Sequence, residues 1–200
     1  MVDYDLILAS ASPRRTEILQ QIGVRHAVQP ANIDETPRPD ESAVDYVQRM
    51  ALEKAQNIIS LRSERIPVLG ADTCVVCDSQ IFGKPRDQRQ AMDMLTALSG
   101  RSHQVLTAVA MGNTEDCLLA ISTTEVFFRK LSQQESLSYW NTGEPKDKAG
   151  SYAIQGYGAV FIESIKGSYS GVVGLPIEET TKLLHRFSVP IWDSTQIASL

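Results

Sequence analysis

The stretch LILASASPRR, from Leu6 to Arg15, constrains the fold more than any other part of the chain. Leu6–Ala9 is an apolar run with the length of a buried strand. Serines and a proline then break it. Ser12 followed by Pro13 reads as a helix N-cap with proline at the first helical position. Ile18, Leu19 and Ile22 give that helix an apolar face, and Gly23 ends it. A strand running straight into a helix opens an α/β unit, and the rest of the chain must be compatible with it.

The pattern continues. An acidic, proline-rich loop, NIDETPRPDES, leads to Ser42 and Asp45, which resemble a capping box for a long helix to about Arg62. Its stripe is Val47, Met50, Ala51, Ala55 and Ile58. Pro67–Ala71 leads through Asp72 and Thr73 into more strand, Cys74–Cys77, and Asp78-Ser79 reads as a turn. After FGKP comes a helix from about Asp87 to Ser99, stopped by Gly100. Ser102–Met111 and Cys117–Arg129 alternate like strands around a turn at Asn113–Asp116. Ser132 and Glu135 form a second capping box, for a helix ending near Gly143. A glycine-rich, charged loop, GEPKDKAGSYAIQGYG, follows. Ala159–Ile165 is strand-like, and Pro176 opens a last helix through Phe187. Consecutive αβ units and hairpins together imply a mixed sheet. There is no repeat or linker, so residues 1–187 read as a single domain whose two lobes would be interwoven. The polar tail, 188–200, is expected to be loose.

Composition narrows the partners. The 200 residues are 42% hydrophobic and 22% charged, with a net charge of −5. That balance argues against a nucleic-acid binder with a broad basic face. No segment reaches the roughly 18 apolar residues of a membrane span, and the start has no basic leader. Three cysteines, an odd number, fit a reducing cytoplasm. Cys74 and Cys77 form a CxxC, but three residues apart on a strand they point to opposite faces. They read as buried strand cysteines; the competing reading, a thiol redox protein, requires a reactive thiolate.

Several residues defy their surroundings. Arg14 and Arg15 bring positive charge to a helix N-terminus that is already partly positive. A bound phosphate would stabilise them, since helix N-termini and guanidinium groups both hold anions; otherwise they are solvated at a cost of about 0.3–1 kcal/mol. Lys54 falls on the apolar stripe of its helix, so it either snorkels or reaches a negatively charged cleft. Asp72 interrupts VLGADTCVV, where a carboxylate is costly unless paired or metal-bound. Asp34 and Glu35 sit in the proline-rich loop, and Lys84 precedes Pro85 on a restricted, extended segment. Several cations, with two or three carboxylates for a divalent metal and a water, make an inventory suited to phosphoanhydride hydrolysis.

LASASPRR, VLGADT, GKP, GEPKDKAGSYAIQG and VVGLP, in this order over residues 6–187, resemble the Maf family of nucleotide pyrophosphatases. The resemblance implies an α/β fold with a central, mixed, strongly twisted sheet flanked by helices, like the inosine triphosphatases, with a cleft between two lobes and often a homodimeric assembly. It implies a cytoplasmic house-cleaning hydrolase that converts a nucleoside triphosphate to monophosphate and pyrophosphate with a divalent cation, Mg²⁺ or Mn²⁺. By the same resemblance Asp72 accepts the proton of the attacking water. Ser10, Arg14, Arg15, Lys54 and Lys84 hold phosphates, and Glu35 with Asp72 lies near the metal. Arg14, Thr73 and Gln155 stand where branches of the family differ. Their combination resembles the dTTP/UTP branch; the 7-methyl-GTP branch carries an aromatic, a Gln and a Glu there. A Gln amide both donates and accepts, which suits a uracil or thymine edge. The chain departs from the family pattern at Cys74, where a larger apolar residue is expected. The alternatives are the 7-methyl-GTP activity and a nucleotide-binding inhibitor of cell division that needs no turnover.

Overall fold

In a computed structural model that describes residues 4–62 and 65–192, the opening stretch forms strand β1 (Leu6–Leu8) and helix α1 (Pro13–Gln21). Strand β2 (His26–Val28) returns parallel to β1. Helix α2 (Ala43–Ile59) then crosses to strand β3 (Val68–Cys77). Asp78 and Ser79, with φ of 49° and 64°, make a two-residue turn into β4 (Gln80–Phe82). Helix α3 (Gln88–Leu98) precedes the long hairpin of β5 (Ser102–Gly112) and β6 (Cys117–Phe128). Helix α4 (Gln133–Asn141) starts at a complete capping box of Ser132 and Glu135. Strand β7 (Ile162–Lys166), helix α5 (Tyr169–Val173) and helix α6 (Ile177–Arg186) finish the chain.

The result is a mixed, open sheet of order β2-β1-β3-β5-β6-β7, with β4 also on β3. Two strands share one edge of β3. β1 pairs parallel at Val68–Leu69, and β4 pairs antiparallel at Val75–Cys77. Between them that edge carries no strand among the described residues, and Asp72 and Thr73 lie in the gap. Ligand clefts of open α/β sheets form outside the carboxyl ends of parallel strands, and the carboxyl end of β1 opens here.

Side-chain alternation along β3 splits the core. Val68 and Cys74 face α2, packed with Val47, Ala51 and Ala55. Leu69 and Ala71 face the opposite side, where α1 and α6 supply Leu19 and Leu184. Farther along that same side, Val75 and Cys77 meet Leu95, Phe128 and Tyr152 beneath α3 and α4. The two clusters on this side are the cores of the two expected lobes, and the strands pass through both. Between them the sheet face is polar: Thr73, Thr107 and Ser122 lie in register across β3, β5 and β6.

Several local expectations need correction. Helix α2 ends at Ile59 rather than near Arg62. The last strand begins at Ile162, because Tyr157–Phe161 coils into a 3-10 turn whose first N–H groups are taken by Glu144. β2, β4 and α5 are too short to have a periodic signature. The expected loose tail is packed at its start: Val189 is buried and the Trp192 N–H donates to the Ile22 carbonyl. Residues 193–200 lie outside the described residues.

Candidate active site

Helix α1 begins at the mouth of the cleft without a side-chain cap. Ser12 occupies the N-cap position in extended conformation, as expected, but its hydroxyl caps nothing, and no acidic residue lies in the first turn. The Ser12 N–H instead donates to Ser10 Oγ. The helix therefore presents an uncapped, positive end to a cavity of about 640 Å³.

Of the residues singled out from the sequence, Ser10, Arg14, Arg15, Glu35, Lys54, Asp72, Thr73, Lys84 and Gln155 border that cavity; Asp34 does not, and its Oδ1 accepts from the Thr36 N–H instead. Lys148 and Asp147, from the GEPKDK loop, border it too and form an ion pair with each other. Five cations and three carboxylates thus surround one cleft in a chain of net charge −5.

Asp72 and Lys54 settle the ambiguity left by the sequence. Lys54 does not snorkel: its side chain is 10% exposed, and Nζ lies 2.7 Å from Asp72 Oδ1 and 2.7 Å from Glu35 Oε1. The ammonium thus stands between two carboxylates from different elements. Burial raises the Asp72 carboxyl pKa, against the opposing pull of Lys54 and Arg15. Glu35 is held below the usual carboxylate range: its partial burial acts the other way, but Lys54, Lys84 and Arg15 outweigh it. The loop carrying Glu35 is fixed to α2. The Tyr46 hydroxyl donates to the Glu35 carbonyl, and Arg49 donates to the Thr36 carbonyl and to both carboxylate oxygens of Glu41.

Asp72 and Thr73 point to opposite faces of β3, yet both border the cleft because the strand edge is open there. Thr73 belongs to a relay. Arg15 Nη2 donates to Thr73 Oγ1 at 3.3 Å, and the Thr73 and Thr107 hydroxyls lie 3.0 Å apart. Thr107 donates to the Gly171 carbonyl at 2.8 Å. Arg15 also donates through Nε to the Gly174 carbonyl and through Nη1 to Ser10 Oγ. Its charge is buried, which lowers its pKa, with Asp72 acting in the other direction. Arg14 and Lys84 differ: among the described residues neither has a hydrogen-bond or ion-pair partner, so both are free to meet an anion.

Sequence reasoning missed Lys148 and Thr107. Lys148 lies in a loop of mixed charge with nothing to separate it from Lys146. Thr107 sits in a regular strand, where a threonine is ordinary; only the cross-strand register with Thr73 marks it.

Glu35 and Asp72 suit a Mg²⁺-like ion, which takes one or two carboxylates and completes its shell with phosphate oxygens and water. Among the described residues no group of three or more His, Cys, Asp or Glu could form an all-protein cage. The cysteines do not suit redox chemistry. Cys74 and Cys77 are buried on opposite faces of β3, and burial pushes the Cys74 thiol up to about 12 and also raises that of Cys77. The smaller side chain at Cys74 is accommodated against α2, with Sγ 4.0 Å from the Ala43 carbonyl. No helix among the described residues is long and apolar enough to cross a membrane.

The chain is 49% identical over 193 residues to a dTTP/UTP pyrophosphatase of Saccharophagus degradans, covering 95% of this chain and 92% of that one. It is 50% identical over 184 residues to a dTTP/UTP pyrophosphatase of Vibrio vulnificus, covering 92% and 99%. Among solved structures it is similar to a nucleoside-triphosphatase/dITP/XTP pyrophosphatase from Mycobacterium abscessus, with 12% identity, a TM-score of 0.45 and coverage of 92% and 95%. The family model described as Maf-like protein matches residues 5–187, from the first strand to the end of the last helix. With that match spanning the whole cleft, and with relatives near half identity over nearly their full length, the chain belongs to the Maf-like protein family.

Proposed function

We propose that this protein hydrolyses dTTP and UTP, and modified pyrimidine nucleotides of the same shape, to the monophosphate and pyrophosphate. The observation that carries the reading is the buried Asp72 carboxylate, bonded to Lys54 in a cleft where Arg14 and Lys84 have no partner among the described residues. The names of the close relatives support the choice of substrate.

The triphosphate lies along the open end of α1, with its charge offset by Arg14, Arg15, Lys54 and Lys84. Asp72 takes a proton from a water. The water oxygen bonds to the α-phosphorus, the bond from that phosphorus to the bridging oxygen breaks, and pyrophosphate departs. A raised pKa makes Asp72 a stronger proton acceptor, while Lys54 keeps it oriented. Glu35 and Asp72 would hold the divalent cation, which when bound offsets charge on phosphate oxygens. Most of the acceleration comes from positioning and preorganised charge. The Gln155 amide meets the pyrimidine edge. The same reading takes the enzyme as cytoplasmic and homodimeric; sedimentation at micromolar concentration tests the assembly.

The deciding experiment is a pyrophosphate-release screen over common and modified nucleoside triphosphates with Mg²⁺ or Mn²⁺. Asp72→Asn is expected to lower kcat by about 10²-fold or more, the order for loss of a general base. Near-wild-type turnover would remove Asp72 from that role. In the wild type, kcat/KM rises with pH as Asp72 loses its proton.

A further inference from the structure

The loop that carries Gln155 is pinned at both stems by the same two side chains. At its start the Ala153 N–H donates to the Tyr139 hydroxyl oxygen at 3.1 Å. At its end the Tyr157 N–H donates to Glu144 Oε2 at 2.9 Å, and the Gly158 N–H donates to Glu144 Oε1 at 3.0 Å. The Tyr139 hydroxyl closes the ring by donating to Glu144 Oε1 at 2.6 Å.

The fit is close. A Cβ on Gly156 would stand 1.8 Å from Glu144 Oε2, and one on Gly158 would stand 2.7 Å from the Tyr139 hydroxyl oxygen. These glycines are needed because the backbone nearly touches the Glu144 carboxylate at the first and the Tyr139 hydroxyl at the second. Tyr139 is itself immobilised, 4% exposed and edge-on to Phe161 at 4.9 Å. Most surface turns are held by bonds to residues two or three positions away. This one is held by charge-assisted bonds to a carboxylate 13 or 14 residues earlier. At its apex Gln155 is exposed to the cleft, and among the described residues its amide has no partner.

We propose that Glu144 and Tyr139 are positioning residues that set base preference by fixing the loop 153–158, and with it the Gln155 amide, against the phosphate-binding end of the cleft. This rests on Gln155 being the base contact, and it assigns a purpose to the GEP segment that the hydrolytic residues leave unexplained.

The test compares Glu144→Gln, Tyr139→Phe and Gln155→Ala. The readouts are kcat/KM for UTP and GTP, the inhibition constant of inorganic pyrophosphate, and amide hydrogen exchange across residues 153–158. Both clamp variants should lower the UTP-over-GTP ratio about tenfold, the order of discrimination carried by a few pocket contacts. Pyrophosphate inhibition should stay unchanged, and exchange in the loop should quicken. A wild-type ratio in both clamp variants, alongside a lowered ratio in Gln155→Ala, overturns the proposal and leaves the base contact intact. A wild-type ratio in Gln155→Ala overturns the base contact and the proposal together. An equal loss on both nucleotides with weakened pyrophosphate inhibition makes the clamp a general support of the fold, which also overturns it. If Glu144→Gln does not fold, Tyr139→Phe, which keeps the ring packing, decides.

Discussion

A buried guanidinium is tolerated only when its N–H groups find acceptors. Arg15 finds them in Gly174, Ser10 and Thr73, and Thr73 is held in turn by Thr107. Thr107 is 1% exposed and does not border the cleft, so any effect of changing it must travel through its neighbours. Thr107→Val is expected to lower kcat/KM about fivefold on every nucleotide alike, at roughly 1–3 kcal/mol of stability, with Thr107→Ser close to wild type. Steady-state kinetics on two nucleotides and a urea titration check this; a change confined to one nucleotide would show that the relay reads the base. Gln155→Glu acts differently, because a carboxylate cannot donate to a carbonyl. It should cut activity on dTTP and UTP at least tenfold relative to GTP, with an unchanged melting temperature. Arg15, Lys54 and Asp72 were conspicuous in the sequence because each offends a local rule. Thr107, Glu144 and Tyr139 offend none, and their partners are distant in the chain.

At the level of elements, α2 and β3 bring Lys54 to Asp72. The helix lies so near the strand that a Cβ on Gly70 would stand 2.3 Å from the Ala51 carbonyl oxygen and 2.7 Å from the Ala55 nitrogen. Backbone cannot yield as a side-chain tip can. Gly70→Ala should therefore cost about 3 kcal/mol, the upper end for overpacking, and should lower kcat as Lys54 is pushed from Asp72. Denaturant midpoints and turnover, measured together, check it; wild-type values of both would refute the close approach. The long elements were legible in the sequence: α2, α3, α4, β3, β5, β6 and α6 carry clear periodicity, caps or glycine stops. β2, β4 and α5, of three to five residues, were not, since so few residues hold no period and owe their form to tertiary partners. Ala159–Phe161, which reads as strand, coils for the related reason that Glu144, by holding the Tyr157 and Gly158 N–H groups, decides the backbone there rather than local preference.

At the scale of the molecule, one buried ring makes stability depend on pH between neutrality and mild acid. His103 is 3% exposed, and burial pushes its imidazole from 6.5 down to about 4. It shares a 2.8 Å hydrogen bond with the Tyr152 hydroxyl and packs edge-on to Phe128. Below about pH 6.5 the unfolded chain takes up a proton on this ring that the native state refuses, so the contribution of His103 to stability falls as pH drops and levels off near 4, where both states are protonated. The loss is roughly 3 kcal/mol. His103→Gln should flatten that slope, which urea unfolding at pH 7 and 4.5 would reveal; parallel slopes would mean that other groups govern it. The mixed sheet could be anticipated from the αβ-then-hairpin order, and two lobes around a cleft from the family resemblance, but how the lobes are joined could not, because strand register is a non-local property. β3, β5 and β6 have 10, 11 and 12 residues, and the β3–β5 and β5–β6 ladders run without interruption past the cleft. There is no seam along which the halves could swing without tearing backbone bonds. An incoming nucleotide therefore meets a mouth of set gauge, since the rim segments bearing Glu35 and Gln155 are themselves tied down, the first to α2 and the second to Glu144 and Tyr139.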